Sequence, residues 1–299
     1  MVLVLGFMKL WCAPEDIACV DFWIAGYLVI PDYANAAECA TLLKRLDELL
    51  KDFDPSTISI FSTKNQKQYI DKYFYESANN ISFFFEEKAF DENRVLMRPK
   101  ELSINKVGHA MHDLDPEFRK FSRSEKVAAI AASLGYKRPA PIQSMAIFKQ
   151  PGIGGEVVPH QDNTFMVTDP PSLLGFWWAL EDATKENGCL WVLPKSHKDG
   201  LKRKFLKEGD SVRYDRESPE YDMSAFIPVE MKAGSLILLH GDLVHQSYEN
   251  TSPKSRPAYS IHVIETDSTA YAETNWLQRN PDFPPEPLFE RKAPVQTAA

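Results

Sequence analysis

The chain has 299 residues, enough for one large domain or two, and folding at that size buries about 75% of the unfolded surface. Its 44% hydrophobic and 25% charged residues are those of an ordinary soluble globular protein. The formal net charge of −8 excludes a nucleic-acid-binding surface as the main business of the chain, because neutralising phosphates needs concentrated Lys and Arg. The four cysteines (Cys12, Cys19, Cys39, Cys189) show no CxxC pair and no regular spacing, so they form neither a disulfide framework nor a zinc site, and they suit a reducing compartment. Met1 to Leu10 is apolar but short and lacks a basic region before the apolar run, and no run of 18 or more apolar residues exists. Gln296-Thr297-Ala298-Ala299 is not a peroxisomal address. The expectation is a cytoplasmic protein without a membrane span or a nucleic-acid partner.

Taken in order, Glu15 to Ala25 reads as a helix ended by Gly26, and Tyr27 to Ile30 as a short strand. Asn35 followed by Glu38 is a capping-box start for a helix whose Leu42, Leu43, Leu46, Leu49 and Leu50 share one face. Phe53 to Asn80 is polar and irregular. Ile81 to Glu86 reads as a buried strand, with Asp91-Glu92-Asn93 as the turn and Val95-Leu96 as its returning partner. Arg119 to Leu134 reads as one amphipathic helix closed by Gly135, and Pro139-Ala140-Pro141 marks a boundary.

Beyond Pro141 the pattern changes to short strands: Ile142 to Gln150, the strand ending at His160, Leu173 to Leu180, Cys189 to Leu193, Ser235 to Leu239, and Pro257 to Ile264. Asn187-Gly188 is a hairpin signal, with Cys189 to Leu193 as the return strand, and Asp199 to Pro228 reads as a long polar loop. Short strands between turns over roughly 120 residues suggest a barrel or jelly roll. The fold class is therefore α+β with a mainly β core and N-terminal helices packed on one sheet. One domain over 1–299 is expected, divided into a helical wrapping (1–138), a jelly-roll core (139–266) and a C-terminal tail (267–299).

The stretch that carries chemistry is Val158-Pro159-His160-Gln161-Asp162. Side chains two apart on an extended strand point to the same face, so His160 and Asp162 present an imidazole and a carboxylate together. That pair is two thirds of the facial triad that suits non-haem Fe(II) and leaves positions open for chemistry. The stretch Gly234 to Ser247 offers a third ligand in His240 or His245, and Arg256 follows farther on. His109, His112 and His197 read as structural histidines. His262 shares strand parity with Arg256 and reads as a satisfied interior histidine. The run Lys198, Lys202, Arg203, Lys204, Lys207 reads as a solvated loop, its alternative being a seat for the phosphates of coenzyme A.

Met145 to Pro151, Gly155 to Asp162, Trp178 to Thr184, Glu186 to Leu190 and Pro194 to His197, in this order, resemble the phytanoyl-CoA dioxygenase family over about Gly26 to Leu277. The resemblance implies a double-stranded β-helix that binds Fe(II) and uses 2-oxoglutarate as cosubstrate, with ascorbate as a possible reductant. It implies His160, Asp162 and His245 as catalytic metal ligands, and Ser247 and Arg256 on the distal carboxylate of 2-oxoglutarate, with Lys106, Met145 and Trp178 lining that pocket. It selects His245 over His240, because the family pattern places Ser two residues and Arg eleven residues after the ligand. The implied reaction consumes O2 and hydroxylates a small-molecule substrate, an acyl-CoA such as phytanoyl-CoA being the first candidate, with release of succinate and CO2. A non-catalytic 2-oxoglutarate and metal sensor of the same fold is the alternative, and a cupin-like zinc hydrolase is a third reading. Arg suits the cosubstrate role on chemical grounds, since its planar fork matches a carboxylate bidentately.

Overall fold

The computed structural model describes residues 17–63, 72–209 and 211–290. The apolar start Met1–Leu10, the first residues of the expected Glu15–Ala25 helix and residues 291–299 of the tail lie outside them. The strands are β1 (Tyr27–Ile30), β2 (Ile60–Phe61), β3 (Ile81–Glu86), β4 (Ile104–His109), β5 (Pro139–Ile147), β6 (Val157–His160), β7 (Thr168–Asp169), β8 (Leu174–Ala179), β9 (Leu190–Val192), β10 (Phe205–Glu208), β11 (Ser211–Tyr214), β12 (Ile227–Val229), β13 (Leu236–His240), β14 (His245–Ser247), β15 (Ala258–Glu265) and β16 (Ala270–Tyr271). The helices are α1 (Ile17–Ala25), α2 (Ala36–Asp52), α3 (Lys72–Glu76), α4 (Met111–Leu114), α5 (Pro116–Ser122) and α6 (Glu125–Ser133). Eight strands form a major sheet in the order β1-β13-β8-β15-β5-β4-β3-β2, and four form a minor sheet in the order β12-β9-β14-β6. Together they make an α+β fold with a jelly-roll core.

Strand alternation divides the major sheet into two faces. Phe176, Trp178, Leu236, Leu238, Tyr259 and Ile261 point outward and pack under the leucine face of α2 and under Phe118, Val127 and Ile130 of α5 and α6. Trp177, Ala179, Ile237, Leu239 and Ala258 point inward and pack against Leu190 and Val192 of the minor sheet. The functional residues described below lie on this inward side. Helix α2 starts where the sequence placed it. Asn35 Oδ1 accepts from Ala37 and Glu38 N–H at 2.9 and 3.0 Å, and Glu38 Oε2 accepts from Asn35 N–H at 2.8 Å. Such a box stabilises the helix by about 1 kcal/mol.

Several expectations need correction. The segment read as helical wrapping also supplies β1 to β4 to the major sheet. The helix expected over Arg119 to Leu134 is two helices, because Asp115 caps a start at Pro116 and the chain leaves helical geometry at Arg123-Ser124 before α6. Ser122 there bonds the Tyr259 hydroxyl at 2.7 Å, which ties the break to the sheet. Strand β3 pairs with β4 rather than with Val95-Leu96, where only a single bridge, Phe90 to Leu96, forms. Asn187-Gly188 turns the chain, but Leu190–Val192 does not return beside β8. Both edges of β8 are already taken by β13 and β15, so β9 joins the minor sheet between β12 and β14. The polar loop from Asp199 to Pro228 contains the β10–β11 hairpin.

One buried charge cluster fastens the C-terminal segment to the helices. Asp113 in α4 takes Arg279 at 2.5 Å, Arg123 at 2.7 Å and His112 at 3.2 Å, and its side chain is 3% exposed. Burial pushes the Asp113 carboxyl up, but His112, Arg123 and Arg279 outweigh it and hold it well below the usual carboxylate range. A folded-state value below the unfolded one of about 3.9 gives stability that is complete above that pH and is lost as pH falls below it. Asp113→Asn leaves Arg123 and Arg279 without their shared partner, and should cost about 3–5 kcal/mol. Urea midpoints should show this loss at pH 7 and a smaller loss at pH 3. An equal loss at both would place the effect in packing.

Candidate active site

The ligand pair of β6 and its end meets the third candidate across a ladder. In the antiparallel pairing of β14 with β6, His245 lies directly opposite His160. Their rings sit 4.3 Å apart between centroids. Asp162 opens a short 3-10 turn (Asp162–Thr164) just past β6, with Oδ1 3.5 Å from His160 Nε2 and 3.7 Å from His245 Nε2. One ligand atom from each of the three residues lies within 4.8 Å of the others, and Asp162 and His245 are buried. His240 is placed elsewhere, against Phe22, Trp23 and His197, with Nδ1 accepting from Asp242 N–H.

The imidazoles are prepared as ligands. His160 Nδ1 is 2.9 Å from Val158 O and His245 Nδ1 is 3.1 Å from Leu243 O. A carbonyl accepts only, so each Nδ1 carries its proton and each Nε2 is the nitrogen left to face a metal. Burial, with His160 beside it, pushes the His245 imidazole down to about 4 and keeps it neutral. Burial raises the Asp162 carboxyl, but the surrounding histidines outweigh it, and the carboxylate form is held. Two imidazoles and one carboxylate on one side of a buried hollow fit a first-row divalent metal with positions left open.

Around this cluster runs a cavity of about 1250 Å³, including its open mouth. Arg256, which precedes β15, is 2% exposed and lies in its wall. Its Nη2 donates to Gly188 O at 2.7 Å, and its guanidinium sits 5.0 Å from the Trp177 ring. Nε and Nη1 are buried with no hydrogen-bond partner among the described residues. Burial lowers this guanidinium to about 10, still charged at neutral pH. Ser247 Oγ donates to the same Gly188 O at 2.9 Å. Gly188 has φ +83°, and a Cβ there would stand 2.7 Å from Tyr248 O, so the turn presents this carbonyl only with glycine in place. Lys149, also buried in the wall, donates to Tyr248 O at 2.8 Å, and burial together with Arg256 lowers it to about 7.

Lys106 and Met145 line the same cavity. Lys106 Nζ lies 3.5 Å over the Phe61 ring and 3.8 Å from Met145 Sδ, and burial pushes it down to about 7. Trp178 does not line it. Its ring stacks on Tyr259 on the outward face, because Leu236 and Tyr259 flank it across the ladder, and Trp177 takes the inward position between Ile237 and Ser260. Of the two tryptophans, Trp177 rather than the expected Trp178 lines the cavity.

Residues 23–258 match the model of the phytanoyl-CoA dioxygenase (PhyH) family. The chain belongs to the phytanoyl-CoA dioxygenase family. A protein of Arabidopsis thaliana named phytanoyl-CoA dioxygenase is 58% identical over 271 residues, covering 90% of this chain and 95% of that one. Phytanoyl-CoA dioxygenase domain-containing protein 1 of Bos taurus is 42% identical over 275 residues, covering 88% and 94%. Among solved structures, the epimerase SnoN in complex with Fe3+, alpha ketoglutarate and nogalamycin RO shares the fold with a TM-score of 0.59 at 16% identity, over 91% of this chain and 92% of that one.

In this family member, two further side chains, His262 and Gln161, support the cluster, and the motifs alone do not point to them. His262 on β15 is not satisfied by the interior in general, since its Nε2 stands 3.1 Å from Asp162 Oδ2. The parity of 256, 258, 260 and 262 carried that signal. Gly175 pairs with His262 on the neighbouring strand. Gln161, between the two ligands, donates to Asp242 O at 2.7 Å and to Gly200 O at 3.0 Å, and so ties β6 to the loop before β14. His262→Ala should weaken metal binding roughly 10- to 100-fold, as loss of an outer-shell partner does. Titration with Co(II) checks this, and an unchanged affinity would remove the orienting role.

Proposed function

We propose that the chain is an Fe(II)- and 2-oxoglutarate-dependent dioxygenase that hydroxylates an organic substrate and releases succinate and CO2. The observation that carries this reading is Arg256, a buried guanidinium with two unpartnered donors in the wall of the cavity that holds the triad. An unpaired buried charge is costly unless a ligand completes it, and a carboxylate is the group its fork matches. His160 and His245 would hold the metal through Nε2, and Asp162 through its carboxylate. Bound Fe(II) supplies the redox chemistry that couples O2 to decarboxylation of the keto acid and oxidation of the substrate. Arg256 and Ser247 take the distal carboxylate, and Trp177, Lys106 and Met145 line the same cavity. Ascorbate would serve as reductant.

Acyl-CoA esters such as phytanoyl-CoA are the first substrates to test. The buried free thiols of Cys39 and Cys189 suit the reducing cytoplasm in which we place the reaction. No helix among the described residues is long and apolar enough to cross a membrane.

The test is succinate formation from 2-oxoglutarate by the Fe(II)-loaded protein under air, with and without phytanoyl-CoA. Turnover that needs O2 and Fe(II) is expected. Binding of 2-oxoglutarate with no succinate under either condition would favour a sensor, and Zn(II)-supported turnover without O2 a hydrolase. The two tryptophans separate cosubstrate binding from packing. Trp177→Ala should raise the KM for 2-oxoglutarate about tenfold through loss of the ring beside Arg256. Trp178→Ala should leave that KM unchanged and cost about 3–5 kcal/mol of stability. The reverse pattern would restore Trp178 to the pocket.

A further inference from the structure

Past the triad the cavity continues along an aromatic wall that ends in a second guanidinium. Phe165 stands 6.2 Å from the His160 ring and 6.5 Å from Tyr214, and Arg203 lies 3.9 Å over the face of Tyr214. Arg203 and Tyr214 both line the cavity, together with Phe61, Phe74 and Trp276. These aromatics belong to one apolar cluster with Phe205, which is 1% exposed.

Arg203 is held there by its neighbours in the chain. Lys202 N–H donates to Gln161 Oε1 at 2.7 Å, so the residue before Arg203 is bonded to the residue between two metal-ligand candidates. Two residues on, Phe205 begins β10, and Tyr214 faces it from β11. In this segment Lys202 pairs with Asp199, Arg213 with Glu208 and Arg216 with Asp215, and Lys207 lies over the Tyr75 ring. Arg203 has the ring of Tyr214, and among the described residues it has no carboxylate within ion-pair distance. A guanidinium stacked on a ring keeps its in-plane N–H groups free for bidentate bonding to a carboxylate or phosphate.

We propose that Arg203 is a specificity-determining residue for the prime substrate, and that this substrate is an apolar molecule bearing an anionic carboxylate or phosphate group. The anion sits on Arg203 at the outer end of the aromatic wall, and the apolar body runs along Phe74, Trp276 and Phe165 toward the triad. Arg256 and Arg203 thereby mark two arms of one cavity, one for the cosubstrate and one for the substrate. The inference rests on the dioxygenase reading for its chemistry but not for its binding test.

The test compares dodecanoate, dodecyl phosphate, dodecanoyl-CoA and uncharged dodecanol, titrated into the protein with the change in fluorescence of the cavity tryptophans Trp177 and Trp276 as readout. A charge-assisted hydrogen bond contributes about 1.5–3 kcal/mol, so the wild type should bind at least one anionic probe roughly 10- to 100-fold tighter than dodecanol. Arg203→Gln should reduce that probe to the affinity of dodecanol and leave dodecanol itself unchanged. Tyr214→Leu should produce a smaller loss in the same direction. Preference for dodecanoate or for dodecanoyl-CoA assigns the anion to the acid itself or to its carrier, and either supports the proposal. Equal affinity for charged and uncharged probes, an anionic preference that survives Arg203→Gln, or no binding by any of the four overturns it. Succinate formation with no anion preference would overturn this inference alone. Anion preference without succinate formation would overturn the dioxygenase reading alone.

Discussion

His245→Ala is expected to abolish Fe(II)-dependent succinate formation, a loss of at least about a thousandfold, while the apo protein stays folded. The residue contributes one of two imidazoles, and its ring faces His160 from the adjacent strand rather than filling the apolar core. Removing it leaves a site with one imidazole and one carboxylate, too few donors to compete with water for a first-row metal. Fold and chemistry separate because the β14–β6 ladder is made of backbone bonds, and the alanine variant keeps them. Circular dichroism and the thermal midpoint without metal should therefore match the wild type, and Co(II) titration should lose its saturable signal. If the apo variant fails to fold, the cluster is structural, and if turnover persists, His245 is not a ligand.

Arg256→Met is expected to lower the affinity for 2-oxoglutarate by about 2–5 kcal/mol, the cost of truncating one partner of a buried charge pair. That is roughly thirty- to several-thousandfold. The methionine keeps most of the volume beside Trp177 and removes a charge that has two unpartnered donors among the described residues. The apo protein should consequently be as stable as the wild type or more so, since replacing buried ionic groups with apolar ones of similar size is often neutral or stabilising. Ligand linkage gives an independent readout. At 100 times its dissociation constant, 2-oxoglutarate should stabilise the wild type by about 2.7 kcal/mol, and the variant far less at the same concentration. An unchanged affinity with a large loss of apo stability would make Arg256 a structural residue.

Much of the fold was legible because its signals are local. The capping box at Asn35 and Glu38, the leucine face of α2 and the β-rich second half all depend on residues a few positions apart, where dihedral preference and side-chain period act directly. The helix break at Arg123-Ser124 and the β10–β11 hairpin were missed for a related reason. Their local preferences are weak, and they are fixed by contacts with Tyr259, Phe74 and Trp276.

The sequence by itself determined the chemical inventory: a histidine followed two residues on by a carboxylate, a later histidine followed by Ser247 and Arg256, and a Gly188 turn. The tertiary structure decided which partners those groups meet. Strand pairing set His245 opposite His160, turned Trp177 inward and Trp178 outward, brought His262 to Asp162, and gathered Ser247 and Arg256 on the Gly188 carbonyl. The reason is the period of two along a strand. It sorts residues into two faces, but which face looks into the barrel depends on neighbours far away in the chain.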